Sequence, residues 1–331
     1  MPAEFEQGFL VRQPAWHGLG TVLPDFLPLG TEEEIQHAMK LAGHNFTISP
    51  RPIYAEGNAV IEGWQRLEKV MQGDQSDGAI LHVAKDSYTA VDNRYCWDLM
   101  AKIVGQGMKL ETAITLRGGA VCSLLAWLNE PVRILNDDSD TLPYFNLSWA
   151  HDGSGGINGR PTEVRTVCMN TQAAAEAAGR RRGNEFDFSI RHTKNAIARI
   201  EDAKMALAGL RAAHEEYVAL SNELAEIPIT TGQREWFVSQ FLPAPDASVE
   251  VSDRVMAHVE EARGKVRALF NGPTIPEAHR LTAYGLQLAG VEYLDHIRGY
   301  RSDETRFGRS LLRDEPAKAQ LRNLIRETTK A

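Results

Sequence analysis

The densest group of cationic side chains in this sequence follows an alanine-rich segment near its middle. Lysine and arginine side chains neutralise phosphate groups, and the start of a helix adds a positive end for the same anions. A run of adjacent arginines is also typical of a solvated loop. The candidates for nucleic-acid binding are Arg165, Asn170, Arg180, Arg181, Arg182, Arg191, His192 and Lys194.

Aromatic side chains could add base stacking to this group, because unpaired bases stack on exposed rings beside a basic groove. Trp16 and Trp149 are the stacking candidates, and Trp64, Trp97 and Trp127 lie in or beside the same strand-rich region. A tryptophan on a strand is more often part of a core. The direction in which each ring points therefore decides between stacking and packing.

A cysteine nucleophile is a third kind of chemistry to consider. A reactive thiol needs a neighbouring base or a helix N-terminus that lowers its pKa. Cys168 could use His192 as that base, with Asn170 orienting the imidazole, and the chain separation neither favours nor forbids this contact. The apolar neighbours Val167 and Met169 favour a buried and inert thiol instead.

Several familiar site types are missing from the sequence. It contains no Walker phosphate loop, no dinucleotide-binding glycine motif and no Gly-x-Ser-x-Gly elbow. His17, beside Trp16, has no metal-binding side chain in the next few positions, and the three cysteines are too widely spaced for a zinc knuckle. We therefore predict no catalytic motif, no metal site and no cofactor.

The charge distribution limits how nucleic acid could be held. The net charge is −8; residues 1–176 carry 13 basic against 22 acidic side chains, and residues 177–331 carry 23 against 22. This acidic excess argues against duplex DNA bound to a broad basic face. A narrow basic groove on an otherwise acidic body is compatible with it.

The predicted secondary structure changes from mainly strands to mainly helices near residue 171. The pattern up to there predicts an α+β body, residues 1–171, with a central antiparallel sheet and flanking helices. Residues 172–331 are predicted to be mostly helical, with long helices near residues 194–227 and 252–270. Both helices show apolar steps of three and four, as in a helical hairpin or coiled coil used for self-association.

Neither a membrane span nor a secretory leader is expected. The longest apolar run, residues 120–128, is too short to cross a bilayer, and the first residues form no basic or apolar signal region. We expect a protein of the host cytoplasm without a membrane partner.

Five short motifs lie at residues 14–20, 88–93, 165–171, 190–193 and 292–296. Their sequences and their order resemble a known family, over roughly residues 10–300. The family is the phage/plasmid-like protein family, a domain of unknown function carried by phages, prophages and plasmids. The resemblance implies a mobile-element setting and assigns no catalytic residue.

From the basic group and this setting we predict a phage- or plasmid-encoded nucleic-acid-binding protein. It would handle single-stranded DNA in replication or recombination, as a homo-oligomer, and strand-annealing phage proteins offer an analogy of organisation only. The alternative is a non-enzymatic assembly or host-interaction protein that oligomerises through the two heptad helices. A cysteine-dependent enzyme is the third hypothesis.

Overall fold

The structure is a computed structural model of the 331-residue chain, and it describes residues 7–11, 21–71, 75–165, 170–172, 188–202, 206–245, 252–299 and 316–330. The strands are β1 (Gln7–Leu10), β2 (Thr21–Val22), β3 (Phe46–Tyr54), β4 (Val60–Met71), β5 (Gln75–Lys85), β6 (Lys109–Leu116), β7 (Val121–Trp127), β8 (Val132–Arg133), β9 (Asp140–Ala150), β10 (Ile157–Arg165), β11 (Asn170–Gln172) and β12 (Phe188–Ile190). The helices are α1 (Glu32–Ala42), α2 (Asn93–Val104), α3 (Ala196–Asp202), α4 (Ala206–Glu226), α5 (Thr231–Phe241), α6 (Asp253–Phe270), α7 (Ala283–Glu292) and α8 (Pro316–Thr328).

A nine-stranded sheet forms the centre of the N-terminal part. Its strand order is β11-β10-β9-β7-β6-β1-β2, with β12 also pairing with β10 and β8 with β9. The pairs are antiparallel apart from β1 with β2, which run parallel. The predicted α+β fold with a β-rich, largely antiparallel body is therefore confirmed.

The turn between β6 and β7 contains two adjacent glycines. Gly118 and Gly119 have φ values of 69° and 100°, a region that glycine adopts without strain. A Cβ atom on Gly119 would lie 2.8 Å from the ring of Phe46. The turn thus allows the first strand of a second, smaller sheet to approach closely.

The smaller sheet contains β3, β4 and β5, which pair antiparallel in that order. Its inner side carries Phe46, Ile48 and Leu67, which are buried in the same apolar core as the large sheet. Lys69, on that side too, places its ammonium over the Phe46 ring and donates to the carbonyl of Gly118. The other side of this sheet faces solvent.

Helices α1, α2 and α3 cover one side of the large sheet. α1 and α2 contact β6, and α2 also contacts β7 and α3. The start of α1 is capped as its sequence predicts, because the Thr31 hydroxyl accepts from the Glu34 N–H and the Glu34 carboxylate accepts from the Thr31 N–H. Gly43 ends the helix with a φ of 74°.

The C-terminal helices build a second apolar core around α7. This helix is buried along almost its whole length and contacts α4, α5, α6 and α8. On α4, Leu210, His214, Tyr217 and Ser221 recur at steps of four and three and form a buried seam, and α4 packs on α7, β9 and β10. That seam is therefore used within the chain. Among the described residues, no helix combines the length and apolarity needed to cross a bilayer.

Candidate nucleic-acid interface

The predicted nucleic-acid-binding residues fall into three groups in the structure. Arg165 on β10 lies opposite Asn170 on β11 in the strand register. Arg191 and Lys194 are exposed in the 191–195 loop, which joins β12 to α3. Outside the described residues lie Trp16, Arg180, Arg181 and Arg182, together with the Cys168 of the thiol hypothesis.

Two of the predicted residues are buried, and their proposed roles need correction. Trp149 is 1% exposed on β9, and its indole N–H donates to Asn93 Oδ1 at 2.7 Å, so its ring has no open side for a base. His192 is 7% exposed and stacks on the ring of Tyr88, with centroids 4.7 Å apart. The large apolar sheet buries both sides of β9, which explains why strand alternation could not place Trp149.

A network of buried hydrogen bonds centred on Asn93 includes Trp149. The fully buried Asn93 amide donates to the carbonyls of His44 (2.9 Å) and Phe46 (3.2 Å). Its Oδ1 accepts from Trp149 Nε1 and from His151 Nε2, which is 2.9 Å away. Because that oxygen can only accept, His151 carries its proton on Nε2. The start of α2 is thereby tied to β3 and to the end of β9.

His44 extends the network on its other side. Its Nε2–H donates to the carbonyl of Ile114 at 2.9 Å, and its Nδ1 accepts from Trp97 Nε1 at 3.0 Å. The rings of Trp97 and Trp149 meet the imidazole edge-on, at centroid distances of 5.7 and 5.2 Å. A neutral imidazole satisfies both contacts, since one nitrogen donates and the other accepts.

Burial lowers the pKa of the three imidazoles, because a protonated ring would lose its hydration. The pKa of His44 falls to about 4, although a backbone carbonyl partly opposes the effect. The pKa of His151 falls to about 3, since repulsion from the other two histidines adds to burial. Burial is also the main cause of the lowered pKa of His192. Among the described residues, no group of three His, Cys, Asp or Glu side chains could hold a metal ion.

The contacts of His192 fix the buried side of the 191–195 loop. Besides the stack of Tyr88 on His192, the Thr89 N–H donates to the His192 carbonyl at 3.1 Å. The exposed Arg191 and Lys194 flank this anchored histidine. The loop is thus held by its buried residue, while its cations face solvent.

An exposed set of aromatic and cationic side chains lies beside this loop, on the small sheet. We call it the outer face: Arg51 on β3, Trp64 and Arg66 on β4, and Val83 and Lys85 on β5. In the strand register, Arg66 lies opposite Arg51 of β3 and opposite Val83 of β5. Trp64 lies opposite Lys85. Directly paired residues and residues two apart share one side of a sheet.

Trp64 is the prominent feature of the outer face, because 45% of its surface is exposed. Trp97, Trp127 and Trp149 are in contrast buried. The three cations lie near Trp64 and Val83, and the carboxylate of Glu68 lies on the same side, 2.6 Å from Arg66 and 3.7 Å from Arg51. An open aromatic ring with cations around it has the chemistry of a base-stacking surface.

The outer face and the 191–195 loop meet at one end of the small sheet. Gln65, next to Trp64, donates from its side-chain amide to the carbonyls of Lys85 (3.1 Å) and Tyr88 (2.8 Å). Tyr88 in turn packs on His192. The exposed cations of the loop therefore lie next to the end of the sheet that carries Trp64 and Lys85.

The two described cysteines offer no nucleophile. Cys96 and Cys122 are free and fully buried, and burial raises the pKa of both thiols. A thiol of raised pKa is a poor nucleophile at neutral pH. The thiol hypothesis therefore depends on Cys168 alone.

Comparison with known proteins places the chain in a family. The searches of curated proteins and of solved structures returned no match. A family model described as a domain of unknown function, DUF932, matches residues 80–313, more than two thirds of the chain. The matched part contains Asn93, His151 and the 191–195 loop, whereas β3 and β4 precede it. The chain therefore belongs to the DUF932 family, a domain of unknown function.

Proposed function

We propose that this protein binds single-stranded nucleic acid on the outer face and the adjoining 191–195 loop. The observation that carries the proposal is the exposed Trp64 among Arg51, Arg66 and Lys85. The mobile-element setting implied by the sequence resemblance, with a role in replication or recombination, forms part of the same proposal.

The chemistry of the outer face favours a single strand over a duplex. Bases in a duplex are stacked on each other, whereas those of a single strand are free to stack on an aromatic ring. The chain as a whole is acidic, with a net charge of −8, so a duplex would meet repulsion beyond this patch. A local cationic surface around one aromatic ring fits a short segment of single-stranded nucleic acid, with its flexible backbone and unpaired bases.

Arg191 and Lys194 extend this surface along the path of a bound strand. Both are exposed, and the loop that carries them is anchored by His192 next to the end of β5. Pre-positioned cations lose less side-chain freedom on binding than mobile ones. The contacts of His192 with Tyr88 and Thr89 thus support the interface indirectly, by holding the loop in place.

Replacing Trp64 with alanine tests the stacking contact. Because a base stacked on an aromatic ring contributes about 1–3 kcal/mol, we expect the affinity for a labelled oligothymidylate to fall about 5- to 150-fold. Trp64→Phe, which keeps a ring, should retain most of the affinity. Fluorescence anisotropy at low salt would measure both variants.

The matched control for Trp64→Ala is Trp236→Ala. Trp236 lies on α5 in the helical part and has a similar exposure, 39%. We expect this change to leave the affinity unaltered. Equal losses of affinity in the two variants would contradict binding at the outer face.

Neutralising the cations tests the phosphate contacts. Lys85→Gln, Arg191→Gln and Lys194→Gln should each weaken binding and reduce the slope of log K against log salt by about 0.7 for each lost phosphate contact. Lys265→Gln serves as control, because Lys265 is exposed on α6 and pairs with Glu261 far along the chain from the outer face. A salt slope unchanged in all three variants would contradict the proposal.

Self-association through α6 is the second candidate function, and one observation favours it. On α6, Val266 and Leu269 are buried, but Val255 is 41% exposed and the neighbouring Met256 39% exposed near the other end of the helix. An exposed apolar pair on a helix fits contact with a second copy or a host protein. Sedimentation velocity would show an oligomer that Val255→Glu dissociates, with nucleic-acid binding unchanged if assembly is a separate activity.

A further inference from the structure

A cavity of about 290 Å³ lies between α4, α7 and α8. An apolar cavity of about 150 Å³ holds one benzene molecule, so this one has room for a molecule of about twelve non-hydrogen atoms. It is too small for a peptide helix with its side chains, which is about 10 Å wide. The apolar residues that line the cavity are Leu220, Leu224, Ile227, Val291, Leu321 and Ile325.

The cavity combines a buried inner end with an opening to solvent. At the inner end, Val291, Leu321 and Ile325 are between 2% and 5% exposed. Glu223 and Arg326 also line the cavity, and both are exposed, so they mark its opening. Water at the inner end would find few hydrogen-bond partners, because a buried water needs about two to four of them. The inner end therefore favours an apolar group over water.

The charged residues of the lining favour an uncharged ligand. The ammonium group of Lys318 lies 2.7 Å from the carboxylate of Asp295, and both side chains are buried. That cation is therefore neutralised within the protein. Glu223 and Arg326 carry opposite charges at the solvated opening. A charged group at the inner end would lose its hydration against apolar walls, whereas an uncharged ligand needs no counter-charge from Arg322, the remaining charged residue of the lining.

We propose that this cavity binds an uncharged small molecule with an apolar body, of the class of medium-chain alcohols. The alkyl chain lies against Leu224, Val291 and Ile325, and the hydroxyl group lies at the opening, where water satisfies its hydrogen bonds. The affinity comes from the apolar surface that is removed from water. The site shares no residue with the outer face or the 191–195 loop, so it stands independently of the proposed nucleic-acid binding.

Isothermal titration calorimetry of the full chain with hexanol, octanol and octanoate tests this site. We expect octanol to bind at one site, about 15-fold more tightly than hexanol, since each buried methylene group contributes about 0.8 kcal/mol, or about fourfold. Octanol should bind at least as tightly as octanoate, because a carboxylate loses more hydration than a hydroxyl group beside an apolar space.

Leu224→Trp should lower the affinity for octanol by at least about tenfold, because the bulkier side chain takes part of the space. The matched control is Leu281→Trp, at a position that is 42% exposed and outside the cavity, which should leave the affinity unchanged. Circular dichroism and thermal unfolding would show that each variant is folded. Octanoate binding more tightly than octanol, equal affinities for hexanol and octanol, octanol binding that survives Leu224→Trp, or no octanol binding would each overturn the proposal.

Discussion

Replacing Asn93 with alanine is expected to destabilise the folded protein by at least about 3 kcal/mol. The side chain is fully buried, and its nitrogen and its oxygen each bind two partners. Alanine would leave two carbonyl oxygens, the Trp149 Nε1–H and the His151 Nε2–H without this partner. Each buried polar group that loses its hydrogen bond costs about 1–3 kcal/mol. Urea denaturation followed by circular dichroism would measure the loss.

Two further variants show whether that loss comes from the network. Asn93→Asp keeps the acceptors but removes both amide donors and places a charge in the core, so it should destabilise at least as strongly as alanine. Asn323→Ala, at an exposed position on α8, should change stability by no more than about 0.5 kcal/mol. A loss below about 1 kcal/mol for Asn93→Ala would mean that the four contacts contribute little.

Acid is expected to lower the stability of the folded protein at pH values at which its exposed carboxylates are still ionised. The pKa of His44 is about 4 and that of His151 about 3 in the folded state, both below the unfolded value of 6.5. The unfolded chain therefore binds more protons as pH falls below 6.5. The stability from these neutral rings is complete above pH 6.5 and is lost as pH falls towards their folded pKa values.

Below pH 6.5 the free energy of unfolding is expected to fall by about 1.4 kcal/mol per pH unit for each of the two histidines. Between pH 7 and pH 5 the free energy of unfolding should fall by about 2 kcal/mol per histidine. His151→Gln retains a donor for Asn93 but has no ring to protonate, so its pH dependence should be weaker by one histidine. Denaturation curves at both pH values, for wild type and variant, would measure this. Equal stability at pH 7 and pH 5 would contradict the burial of neutral rings.

The parts of the fold that depend on local chemistry are predictable from the sequence. The capping box of Thr31 and Glu34, the glycine turn before β7 and the helix at 253–270 follow from neighbouring residues alone. Strand β4 is harder, because its exposed side carries Trp64, Arg66 and Glu68 and its buried side offers Leu67. A polar strand without apolar alternation resembles a loop in its sequence, and Leu67 is the one position of β4 that is fully buried.

The site is less predictable, because it depends on which side of each strand meets the core. Asparagine is a common N-cap residue, yet the N-cap of α2 is Asp92. Asn93 points inward instead, and its amide donates to the carbonyls of His44 and Phe46. Trp64 and Trp149 are both strand tryptophans, and tertiary packing exposes one and buries the other. Long-range contacts of this kind leave no trace in residue spacing.

The central claim is that an exposed tryptophan with surrounding cations binds a single strand, and an anisotropy titration tests it most directly. A fluorescein-labelled oligothymidylate would be titrated with the wild-type chain at low salt, with unlabelled duplex as competitor. We expect saturable binding in about the micromolar range, which weakens as salt is added and persists in the presence of the duplex. Anisotropy that stays unchanged with protein well above micromolar concentration would contradict it.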